Sequence, residues 1–408
     1  MNKQSLRITI ALLIGTLLIS SCAPSQSNQT EPEAPAVVVE TQTANTPAPA
    51  LNAETAETSE PTGWNVEVFA ENLEIPWSLI FPSPQRILVS ERTGAVREII
   101  NGSLAEDPIT VFDAVRARDE AGLMSLALHP DYAENAYIYA CYTTSGSGAN
   151  IITRVTRLID DGESLSVDRI ILDNIPAARF HAGCRLQFGP DEMLYISTGD
   201  ALNKDLPQDV NSRAGKILRV TPEGEIPVDN PFPGSAVYTL GHRNPQGLTW
   251  DNESGRMFST EHGPSGFDGP GGGDEINVIV PGGNYGWPLG SHDNVPEGTI
   301  GPVIQFTPAE APASALYYRN DALPFFKNSL FFGALRGEGL VRVTFAEDAD
   351  GELSVTTVEK IIDNVGRVRD VAEGPDGSIY FTTSNRDGRG SLRDNDDKIY
   401  RIYPVFDE

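Results

Sequence analysis

A unit made of a short apolar segment, a Pro/Asp/Gly turn and a β-branched or aromatic run returns six times along this chain. The clearest copies are Arg185-Leu186-Gln187-Phe188-Gly189-Pro190-Asp191 with residues 193–197, and residues 370–377 with 378–382. The others are 77–82 with 86–90, 125–131 with 136–139, 247–251 with 255–259, and a degenerate copy around Leu323-Pro324 with 329–333. Over roughly 340 residues, six copies leave ~55–60 residues each, enough for one four-stranded propeller blade and a loop. Amphipathic helical periodicity is almost absent. Each sheet of such a ring hides a face against the next, and closure removes long exposed edges. A β-sandwich pair fits six copies of one unit poorly. The expectation is an all-β, six-bladed β-propeller.

What surrounds that ring follows from composition. The 408 residues carry 57 acidic and 30 basic side chains, a formal net charge of −27. This argues against nucleic acid as a partner, since its binding rests on Lys and Arg neutralising phosphates, and equally disfavours docking on anionic lipid through a basic patch. Three Cys cannot form a disulfide scaffold, so an apolar core must hold the fold. Residues 1–22 read as an export signal: Lys3 and Arg7 precede an apolar run, 8–19, too short to span a bilayer comfortably. The run closes on Ile19-Ser20-Ser21-Cys22, which resembles a bacterial lipobox with Cys22 as the lipidated mature N-terminus. An ordinary cleaved signal that happens to contain a Cys is the plainer alternative. Ala23 rather than Asp follows, so nothing signals inner-membrane retention. Residues 23–62 hold six Pro, six Glu and no Lys or Arg, too little apolar area to offset their ordering entropy. They are expected to be a disordered linker, with 63–408 the folded domain. The chain is expected to be exported and lipid-anchored at the cell envelope, a monomer touching the membrane only through its N-terminal lipid.

Propellers carry ligands at the mouth of the central channel, on loops around the inner strands. Arg179-Phe180-His181-Ala182-Gly183-Cys184-Arg185 leads into the third unit and Ser197-Thr198-Gly199-Asp200 leaves the same hairpin, which puts His181 and Asp200 at one end. An imidazole held by a carboxylate is an oriented general base with its second nitrogen free; a satisfied loop His is the plainer reading of His181 alone. Gly241-His242-Arg243-Asn244-Pro245-Gln246-Gly247 presents a planar cation and an amide before a Pro-constrained turn, suited to an anionic or quinone oxygen. Glu261-His262-Gly263-Pro264, Asp274-Glu275-Ile276-Asn277 and Asn284-Tyr285-Gly286-Trp287-Pro288 interleave carboxylates with loop carbonyls, an oxygen supply suited to Ca²⁺. Arg336, Arg367 and Arg369 lie on loops around the last two units. On so acidic a chain they suit an anionic cofactor, with salt bridging to surplus Asp and Glu as the alternative.

Together these segments resemble the glucose/sorbosone dehydrogenase family, which holds the soluble quinoprotein glucose dehydrogenases and aldose sugar dehydrogenases, over about residues 64–403. The match at 241–247 is highly specific. The resemblance implies a six-bladed propeller that binds pyrroloquinoline quinone (PQQ) and Ca²⁺ and oxidises sugars at the anomeric carbon. Residue by residue, it implies His181 as the catalytic base, Asp200 as the carboxylate that orients it, and Arg243 and Asn244 beside the quinone oxygens. Arg336 takes the place of a basic PQQ contact, and Arg367 and Arg369 match two carboxylate-binding Arg. Gly263 and Pro264 resemble the carbonyl donors to Ca²⁺ at PQQ, while Glu275 and Tyr285 resemble ligands of a separate, structural Ca²⁺. Two positions depart from the pattern. Glu120 stands where the family often has Gln, an unfavourable charge facing a tricarboxylate unless Ca²⁺ or Arg compensates. Cys184 replaces a Gly close to the base. Cys141 and Cys184 could pair in an oxidising compartment, but two buried thiols are the favoured reading, since sequence fixes no Cα distance.

The expected activity is oxidation of an aldose or oligosaccharide to a lactone, with electrons passed to an external acceptor. The alternative is a non-catalytic glycan-binding propeller, against which the His and Arg set argues, because a lectin needs no general base. A Ca²⁺-dependent lactonase would need a cage of side-chain carboxylates in the channel, and no such spacing is present.

Overall fold

The computed structural model describes residues 60–148 and 150–407, and its strands form six antiparallel sheets. Five sheets have four strands, and the first carries one extra short strand. The inner strands are Pro76–Ser83, Leu123–Leu128, Leu186–Phe188, Pro245–Asp251, Pro312–Tyr318 and Val368–Glu373. Each adjoins the next, and the sixth adjoins the first, so the sheets are the blades of a closed six-bladed propeller. The outermost strand of the sixth blade comes from the other end of the domain: Gly63–Ala70 pairs with Ile399–Val405 in the register Gly63↔Val405 to Val68↔Tyr400. Tyr132–Asn135 is the one α-helical turn among the described residues, none of whose helices is long and apolar enough to cross a membrane. The leader 1–22, Cys22 and the linker as far as residue 59 lie outside the described residues.

The recurrent Gly-Pro-Asp turns the chain in the same way in the third and sixth blades. Asp191 accepts the Met193 N–H at 3.3 Å, and Asp376 accepts the Ser378 N–H at 3.1 Å. The second oxygen of each carboxylate meets an Arg of the third strand, Arg219 or Arg401. Strands Leu194–Thr198 and Lys216–Val220 are buried at every residue, because a blade is covered on both faces by its neighbours.

Two sequence readings are corrected. Leu323-Pro324 is not part of an inner strand; it leads into the turn Pro324–Phe326, and the inner strand of the fifth blade is Pro312–Tyr318. Pro-Ala-Ser-Ala at the start of that strand is too small and weakly apolar to carry the repeat signal. Cys141 and Cys184 are joined as a disulfide, not left as thiols. Packing of the second blade against the loop entering the third brings their Cα atoms to 6.3 Å, within bridging reach.

Candidate active site

Loops of all six blades line a cavity of about 710 Å³ at one mouth of the channel. Glu120, His181, Arg243, Gly263, Pro264, Arg336, Arg367 and Arg369 all face it. Asp200 and Asn244 stand behind its wall, whereas Glu275 and Tyr285 belong to a small neighbouring space.

The third-blade hairpin, paired Leu186↔Ile196, does carry His181 and Asp200 to one end. The imidazole Nδ1 lies 2.7 Å from Asp200 Oδ1. Asp200 is itself immobilised: Oδ1 accepts the Leu202 N–H at 2.8 Å and Oδ2 accepts the Trp287 indole N–H at 2.9 Å. His181 has φ 52°, a left-handed angle uncommon outside glycine. Its N–H donates to Glu120 Oε2 at 3.0 Å, which ties that backbone down. Residue 199 has to be glycine here, since a Cβ would sit 2.0 Å from the His181 carbonyl oxygen. With Nδ1 committed to a carboxylate, Nε2 is the nitrogen left for chemistry in the cavity.

Asn244 is fully buried and spends its amide on the same loop, accepting from Gly183 N–H at 3.1 Å and donating to Glu120 at 3.4 Å. Glu120 is therefore a loop-holding acceptor as well as a wall charge, with Arg389 3.8 Å away. Arg243 is locked by Asp268 at 2.7 Å, the His262 carbonyl at 3.0 Å and Ser265 Oγ at 2.9 Å. Burial would raise the Asp268 carboxyl, but Arg243 and the Ser265 N–H outweigh it and hold it low.

Opposite lies a cluster of cations, of which Arg367 precedes the sixth blade while Arg369 belongs to its inner strand Val368–Glu373 and not, as expected, to a loop. Arg367 pairs with Asp387 at 2.8 Å and donates to the Leu335 carbonyl at 2.7 Å. Arg369 reaches Gln246 Oε1 at 3.1 Å and Asp387 at only 3.5 Å. Burial, with Arg367 and Arg92 nearby, pushes the Arg369 guanidinium down to about 10. Asp387 is the shared counter-charge; burial would raise it, yet Arg369 and Arg367 hold it below the usual carboxylate range. The Nε atoms of Arg92 and Arg369 are buried without a partner, and Arg336 is exposed at the rim. More buried cations than carboxylates, with donors left over, is the electrostatics of a site for an anion.

The metal-directed residues give a different picture. Gly263, Pro264, Glu275 and Tyr285 line a space of about 20 Å³ together with Glu261 and Trp287. Burial, then the charges of Glu261 and Asp274, pushes the Glu275 carboxyl up, a condition that a cation would relieve. The Tyr285 hydroxyl is not a free ligand, because it donates to the Val278 carbonyl at 2.7 Å and accepts the Val280 N–H at 3.0 Å. Among the described residues no three His, Cys, Asp or Glu side chains gather into a metal cage. A Ca²⁺ here would have to draw on backbone carbonyls, which suits Gly263 and Pro264.

Sequence reasoning misses Arg92, Asp387 and the Trp287 clamp on Asp200. Trp287 stands in a segment whose oxygen ligands draw the eye first, and Asn385-Arg386-Asp387-Gly388-Arg389 is a charged turn with no distinguishing motif. His262 likewise has no role in the sequence reading. Burial, then Arg243 and Arg369, keeps it well below the usual histidine range, so it is neutral, with an unpartnered Nε2.

Comparison with known proteins places these residues in a lineage. The family model for glucose/sorbosone dehydrogenases matches residues 73–399. An aldose sugar dehydrogenase of Escherichia coli is 32% identical over 352 residues, 80% of this chain and 92% of that protein. The PQQ-bound form of an aldose sugar dehydrogenase from Streptomyces coelicolor has a TM-score of 0.71 at 34% identity, covering 85% of this chain and 99% of that one. A crystal structure from Thermus thermophilus, described as an oxidoreductase (glucose dehydrogenase), reaches 0.77 at 41% identity, with coverage of 83% and 100%.

Proposed function

The chain belongs to the glucose/sorbosone dehydrogenase family and is an oxidoreductase, and on that premise we propose that it oxidises aldoses at the anomeric carbon to lactones. PQQ and Ca²⁺ are the proposed cofactors, and an external acceptor takes the electrons. One observation carries this reading: a single cavity joins an imidazole committed at Nδ1 to Asp200 with arginines that too few carboxylates neutralise. PQQ is a tricarboxylate, so Arg367, Arg369 and rim Arg336 would hold its carboxylates and Arg243 its quinone edge. The Gly263 and Pro264 carbonyls would hold Ca²⁺. When bound, this pair supplies a polarised quinone that accepts hydride from the sugar.

The chain's own residues do the acid–base work. His181 Nε2 takes the proton of the anomeric hydroxyl, and the resulting imidazolium is stabilised by Asp200. The Trp287 and Leu202 donors keep that carboxylate from rotating, so ring and tautomer are set before the sugar arrives. Glu120 fixes the backbone on which the ring stands. We also propose acylation at Cys22, which intact-mass measurement of the mature protein would show, and an envelope location for the domain.

Reconstitution with PQQ and Ca²⁺ tests the activity. A saturable quinone absorbance that aldoses bleach is the expected result. Absence of saturable PQQ binding in both wild type and Glu120→Gln would replace this reading with a glycan-binding propeller.

A further inference from the structure

We infer that Phe267 is the stacking surface for the sugar ring, and so a determinant of specificity for pyranoses; this rests on the dehydrogenase reading above. Among the described residues Phe267 is the most exposed aromatic side chain, 70% exposed, yet it lines the cavity. Its ring centre lies 6.0 Å from that of His181, with the planes 29° apart.

A single exposed apolar side chain needs no explanation on most surfaces. Here the backbone on either side of it is fastened. Ser265 N–H donates to Asp268 Oδ1 at 2.9 Å, and Ser265 Oγ receives the Arg243 guanidinium at 2.9 Å. Asp268 pairs with Arg243 at 2.7 Å, and Lys204 donates to the Asp268 carbonyl. The Gly-rich segment 263–273 is thus pinned on both sides of Phe267, and the phenyl group is presented beside the base instead of folding into the core. The second aromatic of the cavity, Phe180, is already engaged, with the guanidinium carbons of Arg179 and Arg389 4.8 and 4.9 Å from its ring centre. Phe267 has a face to offer.

A pyranose chair has a polar rim of hydroxyls and a less polar face of axial C–H bonds. With its anomeric hydroxyl at His181 Nε2 and its anomeric C–H left free for the hydride acceptor, the ring would rest its other face of axial C–H bonds on the neighbouring phenyl group, as apolar surface does on aromatics. Arg243 therefore has two tasks, facing the cofactor side and carrying the loop that holds the sugar.

The test compares wild type, Phe267→Ala and Phe267→Trp, loaded with PQQ and Ca²⁺, on glucose and maltose, with PQQ affinity titrated separately by absorbance. Loss of one aromatic contact should raise the sugar KM of Phe267→Ala roughly tenfold, with kcat and PQQ affinity within about twofold of wild type, and Phe267→Trp should recover the low KM. An unaltered KM in Phe267→Ala would overturn the assignment, as would a KM rise matched by an equal loss of PQQ affinity, which marks collapse of the loop. A wild type that binds PQQ but turns over no aldose overturns the dehydrogenase reading, and Phe267 with it. Turnover with an unaltered Phe267→Ala KM removes Phe267 alone.

Discussion

His181 stands at a backbone angle that its own side chain disfavours, and Glu120, Asp200 and the closeness of Gly199 keep it there. The arrangement sets one tautomer, so losing the ring and disturbing its orientation should differ in severity. His181→Gln is expected to lower turnover by ~10²–10⁴ with PQQ affinity nearly unchanged, and Asp200→Asn to do milder damage, both read in steady-state kinetics and PQQ titration. Equal turnover in His181→Gln and wild type would remove His181 from the mechanism. The cation cluster makes the complementary prediction. Arg369 has a buried Nε without a partner, and a charge-assisted contact contributes ~1.5–3 kcal/mol, so Arg369→Ala should weaken PQQ binding by roughly ten- to a hundredfold. Glu120→Gln keeps an oxygen for the His181 N–H while removing the opposing charge, and should tighten PQQ in the same titration. A weaker-binding Glu120→Gln would show that the carboxylate helps hold the cofactor instead of repelling it.

At the scale of elements, the loop that bears His181 is tied to the neighbouring blade by Cys141–Cys184, 43 residues apart in sequence. A chain-entropy account assigns a cross-link of that span about 4 kcal/mol, so Cys141→Ala/Cys184→Ala should lose roughly that much in urea unfolding. A loss below ~1 kcal/mol would mean that blade packing alone holds the loop. The bond is illegible in the sequence because it depends on how two blades dock, and neither Cys has a local signal. The inner hairpins are legible for the opposite reason: Gly189-Pro190-Asp191 and Gly374-Pro375-Asp376 close their turns with their own side chains. Where that turn chemistry is missing, as between Pro312–Tyr318 and Ser329–Ala334, the repeat pattern points to the wrong segment. His181 and Asp200 can be brought together on paper because a single hairpin separates them. Arg92 and Asp387 cannot, since they meet the site from blades at opposite ends of the chain.

For the whole molecule, electrostatics and connectivity set the limits. Burial would raise Asp387 and Asp268, but Arg369 with Arg367, and Arg243 with the Ser265 N–H, hold them low. A carboxyl lowered by folding adds stability above its unfolded value, and that stability is lost as pH falls through the folded value. These two carboxyls should therefore contribute to the loss of stability in acid, and Asp387→Asn should flatten the stability-against-pH curve below about pH 4; an identical acid limb in the mutant would place the sensitivity elsewhere. Connectivity adds a constraint in time. The outer strand of the sixth blade, Gly63–Ala70, is made before any other strand of the domain, and its partner Ile399–Val405 is made last. A nascent chain thus holds an unpaired strand edge throughout its synthesis, and no truncated product can shut the circle. The propeller stays open until Ile399–Val405 emerges, a state in which a protease or another nascent copy can reach the waiting edge.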